Sequence, residues 1–213
     1  MGKTSLKKKY NIVLTRETNI ARLIALKVIK PKPFTVWEVL IPILFIFGYM
    51  KSKEQREIFA QNLLFTKKLA LDAAHDMLKN DYSRKSAELQ IKKKTDDLLA
   101  ALPDNVYSES IRQEQLKEMD LLMGHYCKLM QAEGSDYDTL VLGAYRTRAQ
   151  YNVFLEGLRG AEERVAQAAR QTLGANTDTV MAERIEYATN SARMAEIDKI
   201  FDTSSHSSNA HHR

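Results

Sequence analysis

The chain has 213 residues, a length that allows one or two domains with a substantial hydrophobic core. Hydrophobic residues make up 44% of the sequence and charged residues 28%, and these proportions exclude a chain that is disordered throughout. Eight Gly and four Pro are too few for a turn-rich β fold, and one Cys excludes an intrachain disulfide or a multi-cysteine metal site. The sequence therefore predicts an all-α protein.

The net charge of +5 is the sum of two unlike parts. Residues 1–57 carry twelve Lys and Arg against four Asp and Glu, whereas residues 58–213 carry twenty against twenty-three. We therefore predict a basic N-terminal domain (1–57) and a mildly acidic helical domain (58–202). Because the positive excess is confined to the first part, the second would repel phosphate on average, and nucleic acid is not a predicted partner.

Residues 6–30 predict a basic amphipathic helix. Val13, Ile20 and Ile24 are among the apolar residues at helical spacing, and Lys and Arg supply most of the polar face. Such a helix can lie in a membrane interface with its basic side chains on anionic headgroups, or it can be a core helix with a solvated charged face. The sequence leaves both interpretations open.

Residues 34–50 (FTVWEVLIPILFIFGYM) form the most apolar stretch of the chain. Glu38 is the one ionisable residue among the seventeen, and Lys residues flank both ends. A straight helix of this length would reach about 26 Å, slightly short of a hydrocarbon core of about 30 Å, and Pro42 would kink it. This pattern favours a membrane anchor, either a short span or a re-entrant segment; the alternative is a helix buried in a soluble bundle or subunit interface. The predicted membrane-contact residues are Trp37, Leu40, Ile41, Pro42, Ile43, Phe45, Phe47 and Tyr49, with Lys30, Lys32, Lys51 and Lys53 at anionic headgroups.

A family resemblance rests on this segment and on two short runs after it. The runs are Trp37-Glu38-Val39-Leu40-Ile41-Pro42-Ile43 with Phe45, then Phe59-Ala60-Gln61-Asn62-Leu63-Leu64, and Ala70-Leu71-Asp72-Ala73-Ala74. Over about residues 10–76 the chain resembles a group of small bacterial helical proteins to which no function is attached. The resemblance implies a bacterial origin and a similar anchor.

The rest of the chain predicts helices over about 53–79, 84–102 and from Ser110 to about 132, the last ending at Gly134 as its C′ residue. From residue 138 to 173 we predict one uninterrupted helix, because apolar residues from Leu140 to Thr172 alternate at steps of four and three. A final helix over about 178–201 should pack against it as a long antiparallel α-hairpin (138–201), with a homodimeric seam as the alternative. Residues 203–213 predict a disordered tail.

No catalytic pattern emerges. Asp72 and His75 share a helical face but lack the further ligands of a two-metal bundle site, and His125 and Cys127 point to different faces. Cys127 is interpreted as a small buried hydrophobic residue or an inert thiol, and the histidines of the tail as part of a flexible terminus. No metal site, cofactor or small-molecule substrate is predicted.

The prediction for function is a non-enzymatic, membrane-attached helical scaffold or adaptor. Residues 1–57 would bind the cytoplasmic side of the inner membrane, and the bundle would contact partner proteins or a second copy of the chain. The alternative is a soluble all-α subunit of a larger complex, with residues 34–50 buried at an interface. An enzyme with an unrecognised site is a third hypothesis.

Overall fold

The computed structural model describes residues 4–29, 52–99, 107–173 and 179–208. Within these ranges the chain is all-helical and no strand occurs, which confirms the predicted fold class. The helices are α1 (Leu6–Val28), α2 (Ser52–Asn80), α3 (Arg84–Leu99), α4 (Glu109–Gln131), α5 (Tyr137–Tyr145), α6 (Arg148–Leu173) and α7 (Thr179–Ser208).

Serine and aspartate caps start several of these helices. The Ser5 hydroxyl accepts from the Lys8 amide at the start of α1, and the Ser108 hydroxyl accepts from the Ile111 amide at the start of α4. The predicted cap of α4 at Ser110 was therefore wrong by two residues. Gly134 has a different role from the predicted C′ residue, because α4 already ends at Ala132. A Cβ at Gly134 would lie 2.8 Å from the Leu140 amide nitrogen, so this loop needs glycine to pass close to α5.

The predicted uninterrupted helix over 138–173 was wrong, because the chain breaks between α5 and α6. Arg146 has a positive φ of 56°, a conformation that no regular helix contains, and the Thr147 hydroxyl accepts from the Gln150 amide to start the next helix. Neither Gly nor Pro marks the break in the sequence. The capping box of α5 is formed by Asp136 and Thr139.

Helices α1 and α2 run antiparallel and form one side of the bundle. Their contacts pair Tyr10 with Asp72, Glu17 with Lys67 and Arg22 with Glu57, so residue numbers fall along α2 as they rise along α1. The apolar face of α1 packs against α2, α4 and α7. The structure thus gives α1 the core position that the sequence analysis left open, and it joins α1 to the bundle rather than to a separate domain of residues 1–57.

The close seam predicted between α6 and α7 is not observed among the described residues. α6 packs mainly on α4, with Ala168 and Ala169 against Ile111, and α7 packs mainly on α1. Ion pairs join α6 to α7, from Arg193 to Glu162 and from Arg148 to Asp198 and Asp202, and the ring of Tyr151 on α6 packs beside that of Phe201 on α7. The small residues of α6 allow α4 to pack closely against it, whereas α7, the predicted partner, lies further from α6.

Helix α7 extends to Ser208, into the segment 203–213 for which a disordered tail was predicted. Ser and Thr are weak helix formers. They can nevertheless extend α7, because the costly step in forming a helix is its first turn, and each residue added to an existing helix gains a backbone hydrogen bond. Residues 209–213 lie outside the described part of the chain. None of the described helices combines the length and apolarity that a membrane crossing needs.

Candidate functional site

The predicted membrane-contact residues lie outside the described part of the structure. Residues 30–51 are not described, and Lys53 belongs to α2 but its side chain is not described. Their contact with lipid therefore stays a prediction. What the structure adds is a group of charged side chains inside the bundle and a cavity beside them.

An ion pair between α1 and α2 lies at the centre of this group. Lys67 Nζ is 2.6 Å from Glu17 Oε2, and both side chains are largely buried. The Tyr126 hydroxyl donates to the other carboxylate oxygen of Glu17 at 3.0 Å. Burial alone would raise the pKa of Glu17, but the Lys67 ammonium and the Tyr126 hydrogen bond outweigh it and lower that pKa. Glu17 is therefore ionised and fully bonded inside the protein.

Two further ion pairs connect α7 to the bundle. Arg16 Nε is 2.6 Å from Glu196 Oε1, and burial nevertheless raises the pKa of Glu196. Arg193 makes a bidentate pair with Glu162 of α6, at 2.8 and 2.6 Å. These pairs add to the apolar contacts that α7 makes with the bundle through Ile197 and Ile200.

Glu118 of α4 differs from these acids, because it has no hydrogen bond or ion pair among the described residues. Burial raises its pKa to about 8, and the negative charge of Glu162 adds to this effect. Its side chain is partly accessible, because it lines a cavity. Glu118 is therefore largely protonated near neutral pH and ready to ionise when a positive charge approaches.

His125 of α4 lies in a compact aromatic cluster on the other side of Lys67. Its Nδ1 is hydrogen-bonded to the Tyr145 hydroxyl at 2.7 Å, and its ring stacks on Phe154 with centroids 4.1 Å apart. Burial lowers the pKa of His125 to about 3, against the partial opposing effect of Glu17. The imidazole is neutral at physiological pH, and its role here is packing.

The cavity has a volume of about 420 Å³ and lies between α1, α2, α4, α6 and α7. Most of the wall surface is apolar, and Ala21, Ile24, Leu63, Val165, Ala166 and Ile185 are among the lining residues. Eight of the lining residues are charged, among them Glu118, Lys67 and Glu162. A largely apolar pocket of several hundred cubic ångströms with a few convergent polar groups is the usual form of a small-molecule site.

The other residues singled out in the sequence have structural partners. The Tyr10 hydroxyl donates to Asp72 at 2.6 Å, Lys68 binds the second oxygen of that carboxylate, and Tyr10 also packs edge-on against His75. Burial raises the pKa of the Cys127 thiol, which faces the Ala74 carbonyl oxygen. In the part of the chain that is described, no three His, Cys, Asp or Glu side chains are placed to hold a metal ion.

The buried charged group was not predicted from the sequence, although the spacing of its residues indicates positions that face the core. Ile111, Gln115, Glu118, Leu122, His125 and Leu129 follow one another on α4 at steps of four and three, which is the spacing of a core seam. Glu17 lies at the same spacing between Val13 and Ile20 on α1. Polar residues at seam positions are uncommon and are retained for a specific partner or role.

No protein-family model matches the chain, and the searches of curated proteins and of solved structures likewise found no match. The resemblance of residues 10–76 to small bacterial proteins stays a prediction.

Proposed function

We propose that this protein is a membrane-attached helical adaptor, anchored through residues 34–50, with a bundle that contacts other proteins. The observation that carries the proposal is the way in which the two helices beside the apolar segment are joined. Arg56 Nε of α2 donates to the carbonyl oxygen of Ile29, the last described residue before the segment, at 3.1 Å. The described chain before residue 30 and the first turns of α2 after residue 51 therefore lie close together.

This connection favours a re-entrant anchor over a single span. A single crossing would separate Lys30 from Lys51 by a bilayer of about 30 Å, whereas α1 ends and α2 begins within the reach of one arginine side chain. A segment that dips into one leaflet and returns would keep the flanking lysines on the same anionic surface. The central Pro42 suits such a path, because proline interrupts a helix.

The exposed side chains near the end of α1 fit a lipid surface. Leu23 and Leu26 are both at least half exposed, although they are large and apolar. Lys27 lies beside them in sequence and is also exposed, so this end of the bundle offers apolar and basic groups together. Such a combination suits the interface between headgroups and acyl chains. Anionic lipid headgroups are therefore the proposed partner on this side.

The proposed protein-contact surface lies on α7. Val180, Tyr187 and Met194 are spaced seven residues apart, and each is more than half exposed. Residues seven apart fall on one helical stripe, so these three side chains make an apolar line outside the bundle. A second helix, from another protein or from a second copy of this chain, would bury that line.

Membrane fractionation tests the attachment. Full-length protein should float with vesicles that contain anionic lipid and should stay in the membrane pellet after an alkaline carbonate wash. The double variant Leu40→Lys/Phe45→Lys should lose most of that binding, because two charges oppose insertion by about 5 kcal/mol in total. Leu89→Lys/Val153→Lys, which changes exposed apolar residues on α3 and α6, is the matched control. Release of the wild type by carbonate, or equal partitioning of the anchor variant, would favour the soluble-subunit alternative.

Thiol labelling tests the path of the segment. In a Cys127→Ser background, Lys30→Cys and Lys51→Cys should both react with an impermeant reagent from the same side of a sealed vesicle. Bacterial inner-membrane vesicles of right-side-out and inverted orientation then report the side, which we expect to be cytoplasmic. Labelling of the two positions from opposite sides would contradict the re-entrant path and would favour a span.

A further inference from the structure

The cavity described above carries an inference that does not depend on membrane attachment. We propose that it binds a small amphipathic cation, with an amine group against Glu118 and an apolar body along the alanine-rich walls. The volume of about 420 Å³ is within the range of small-ligand pockets. Five helices contribute to it, so the site is formed by the fold and not by one helix alone.

The walls select an apolar body. Ala21, Ile24, Leu63, Val165 and Ile185 present methyl and aliphatic surface from α1, α2, α6 and α7. Burying an alkyl group against such surface is favourable, and the gain grows with each methylene that leaves water. A chain of several methylenes can therefore supply most of the binding free energy, and the charged lining decides which head group is accepted.

The charges of the lining favour a positive head group. Most of the basic groups near the cavity are already bound by acids: Lys67 by Glu17, Arg193 by Glu162 and Arg159 by Glu163. The charged lining residues without an ion-pair partner among the described residues are Glu118, Glu183, Glu186 and Arg170. Glu183, Glu186 and Arg170 are exposed to solvent, so Glu118 is the less exposed charged group of this set, and its carboxyl suits a cation and not a phosphate or carboxylate.

Glu118 is the acid that would contact the amine. It faces Glu162 from α6, Lys67 from α2 and Arg193 from α7, and Ala21 and Ile24 of α1 bring no charge to this cavity. An approaching ammonium would stabilise the ionised carboxylate, so Glu118 would release its proton to the solvent when the ligand binds. Because the pKa of free Glu118 is about 8, proton release should be nearly complete at neutral pH.

Isothermal titration calorimetry with three probes of equal chain length tests the proposal on the full-length protein. Octylamine should bind at least tenfold more tightly than octanol, and octanoate should bind more weakly than either. At neutral pH the heat of octylamine binding should depend on the ionisation enthalpy of the buffer, with close to one proton released. The affinity for octylamine should also rise about tenfold per pH unit between about pH 6 and pH 7.5.

Two variants locate the site. Glu118→Gln keeps the shape of the side chain, removes the charge, and should weaken octylamine binding by about tenfold or more while leaving octanol binding unchanged. Ala166→Trp should abolish binding of octylamine and octanol, because the indole occupies the cavity. Glu88→Gln, at an exposed position on α3, is the matched control for the loss of one carboxylate.

Several results would overturn the proposal. These are equal binding of the three probes, preference for octanoate, octylamine binding that Glu118→Gln or Ala166→Trp leaves intact, or no detectable octylamine binding. If Glu118→Gln fails to fold, two other measurements still decide the question: equal binding of octylamine and octanol by the wild-type protein, or octylamine binding that Ala166→Trp leaves intact, contradicts the proposed site.

Discussion

The two halves of the bundle interior are built on different principles. In one half, around the end of α4 and the start of α6, aromatic rings fill the core: His125 stacks on Phe154, and Tyr145 and Tyr151 pack beside them. In the other half, the helices face one another with alanines and short aliphatic residues interspersed with charged ones, and a cavity of about 420 Å³ lies between the helices. Lys67 stands at the junction and lines both regions.

This difference shows how side-chain volume controls helix separation. Large rings hold the first half together through contact, so little space remains, about 30 Å³. In the second half, the Arg193–Glu162 pair spans the distance between α6 and α7, and the alanines do not close it. We therefore expect the first half to supply most of the stability and the second to tolerate change.

The largest expected difference between the two halves is in the free energy of unfolding that is lost when a leucine is truncated to alanine. Leu122→Ala removes a fully buried side chain from the filled half and should lower the free energy of unfolding by about 3–5 kcal/mol. Leu63→Ala removes the same atoms at the edge of the cavity and should cost about 1 kcal/mol, because that side chain has fewer neighbours to lose. Urea denaturation of both variants gives the comparison. Equal losses would mean that the two halves are packed alike.

Substitutions of two neighbouring lysines on α2 test how much the buried ion pair between the two halves contributes to stability. Lys67→Met leaves Glu17 buried without its counter-ion and should cost about 3 kcal/mol or more. Lys68→Met breaks the largely exposed pair with Asp72 and should cost less than about 1 kcal/mol. The midpoint of urea unfolding measures both. A similar small effect at the two positions would show that the buried pair does not join the two halves.

The neutral His125 predicts a pH dependence confined to the aromatic half. Its pKa is about 3 in the folded protein, whereas an unfolded histidine titrates near 6.5, so the unfolded state takes up a proton first as the pH falls. Its contribution is fully present above about pH 6.5 and falls by about 1.4 kcal/mol per unit below that value. Wild type should therefore lose about 2 kcal/mol relative to His125→Phe between pH 7 and about pH 5. His75→Phe is the control for losing an imidazole, and a constant difference between wild type and His125→Phe would contradict the prediction.

The smallest expected change in the free energy of unfolding comes from a substitution that partly fills the cavity. Ala166→Leu adds apolar surface at a wall position and should change the free energy of unfolding by about 1 kcal/mol or less, in the stabilising direction. The same change at Ala161 of the same helix, which is fully buried, should destabilise by about 1–3 kcal/mol. Thermal unfolding of the two variants measures the contrast. Destabilisation by Ala166→Leu would mean that the cavity wall is already closely packed.

Local sequence signals predicted the helices well but not their partners. The run of apolar and basic residues gave α1 within two residues, and Ser52 marked the start of α2. The break at Arg146 was missed because a positive φ at arginine leaves no compositional trace. The helix over 148–173 was assigned to the wrong neighbour, because apolar residues at steps of four and three mark a packing face without specifying which helix packs on it.

The buried charges were missed for a related reason. A periodicity argument selects apolar residues and passes over Glu17, Glu118 and His125, which occupy seam positions. Their partners lie on other helices, far away in sequence, so the cavity and its ion pairs follow only from the tertiary packing. The spacing of the seam positions is visible in the sequence. Charged residues at those positions were the signal that indicated buried charges.

The bond from Arg56 to the Ile29 carbonyl has a consequence for how this chain can vary. Since α1 and α2 are already paired on the core, residues 30–51 form an insertion between two points that the bundle holds together. The entropic cost of closing such an insertion grows slowly, by about 0.6 kcal/mol for each doubling of its length. A longer, shorter or chemically different segment can therefore replace residues 30–51 with little loss in the stability of the bundle. The connection between α1 and α2 can thus change while the packing of the two helices is kept.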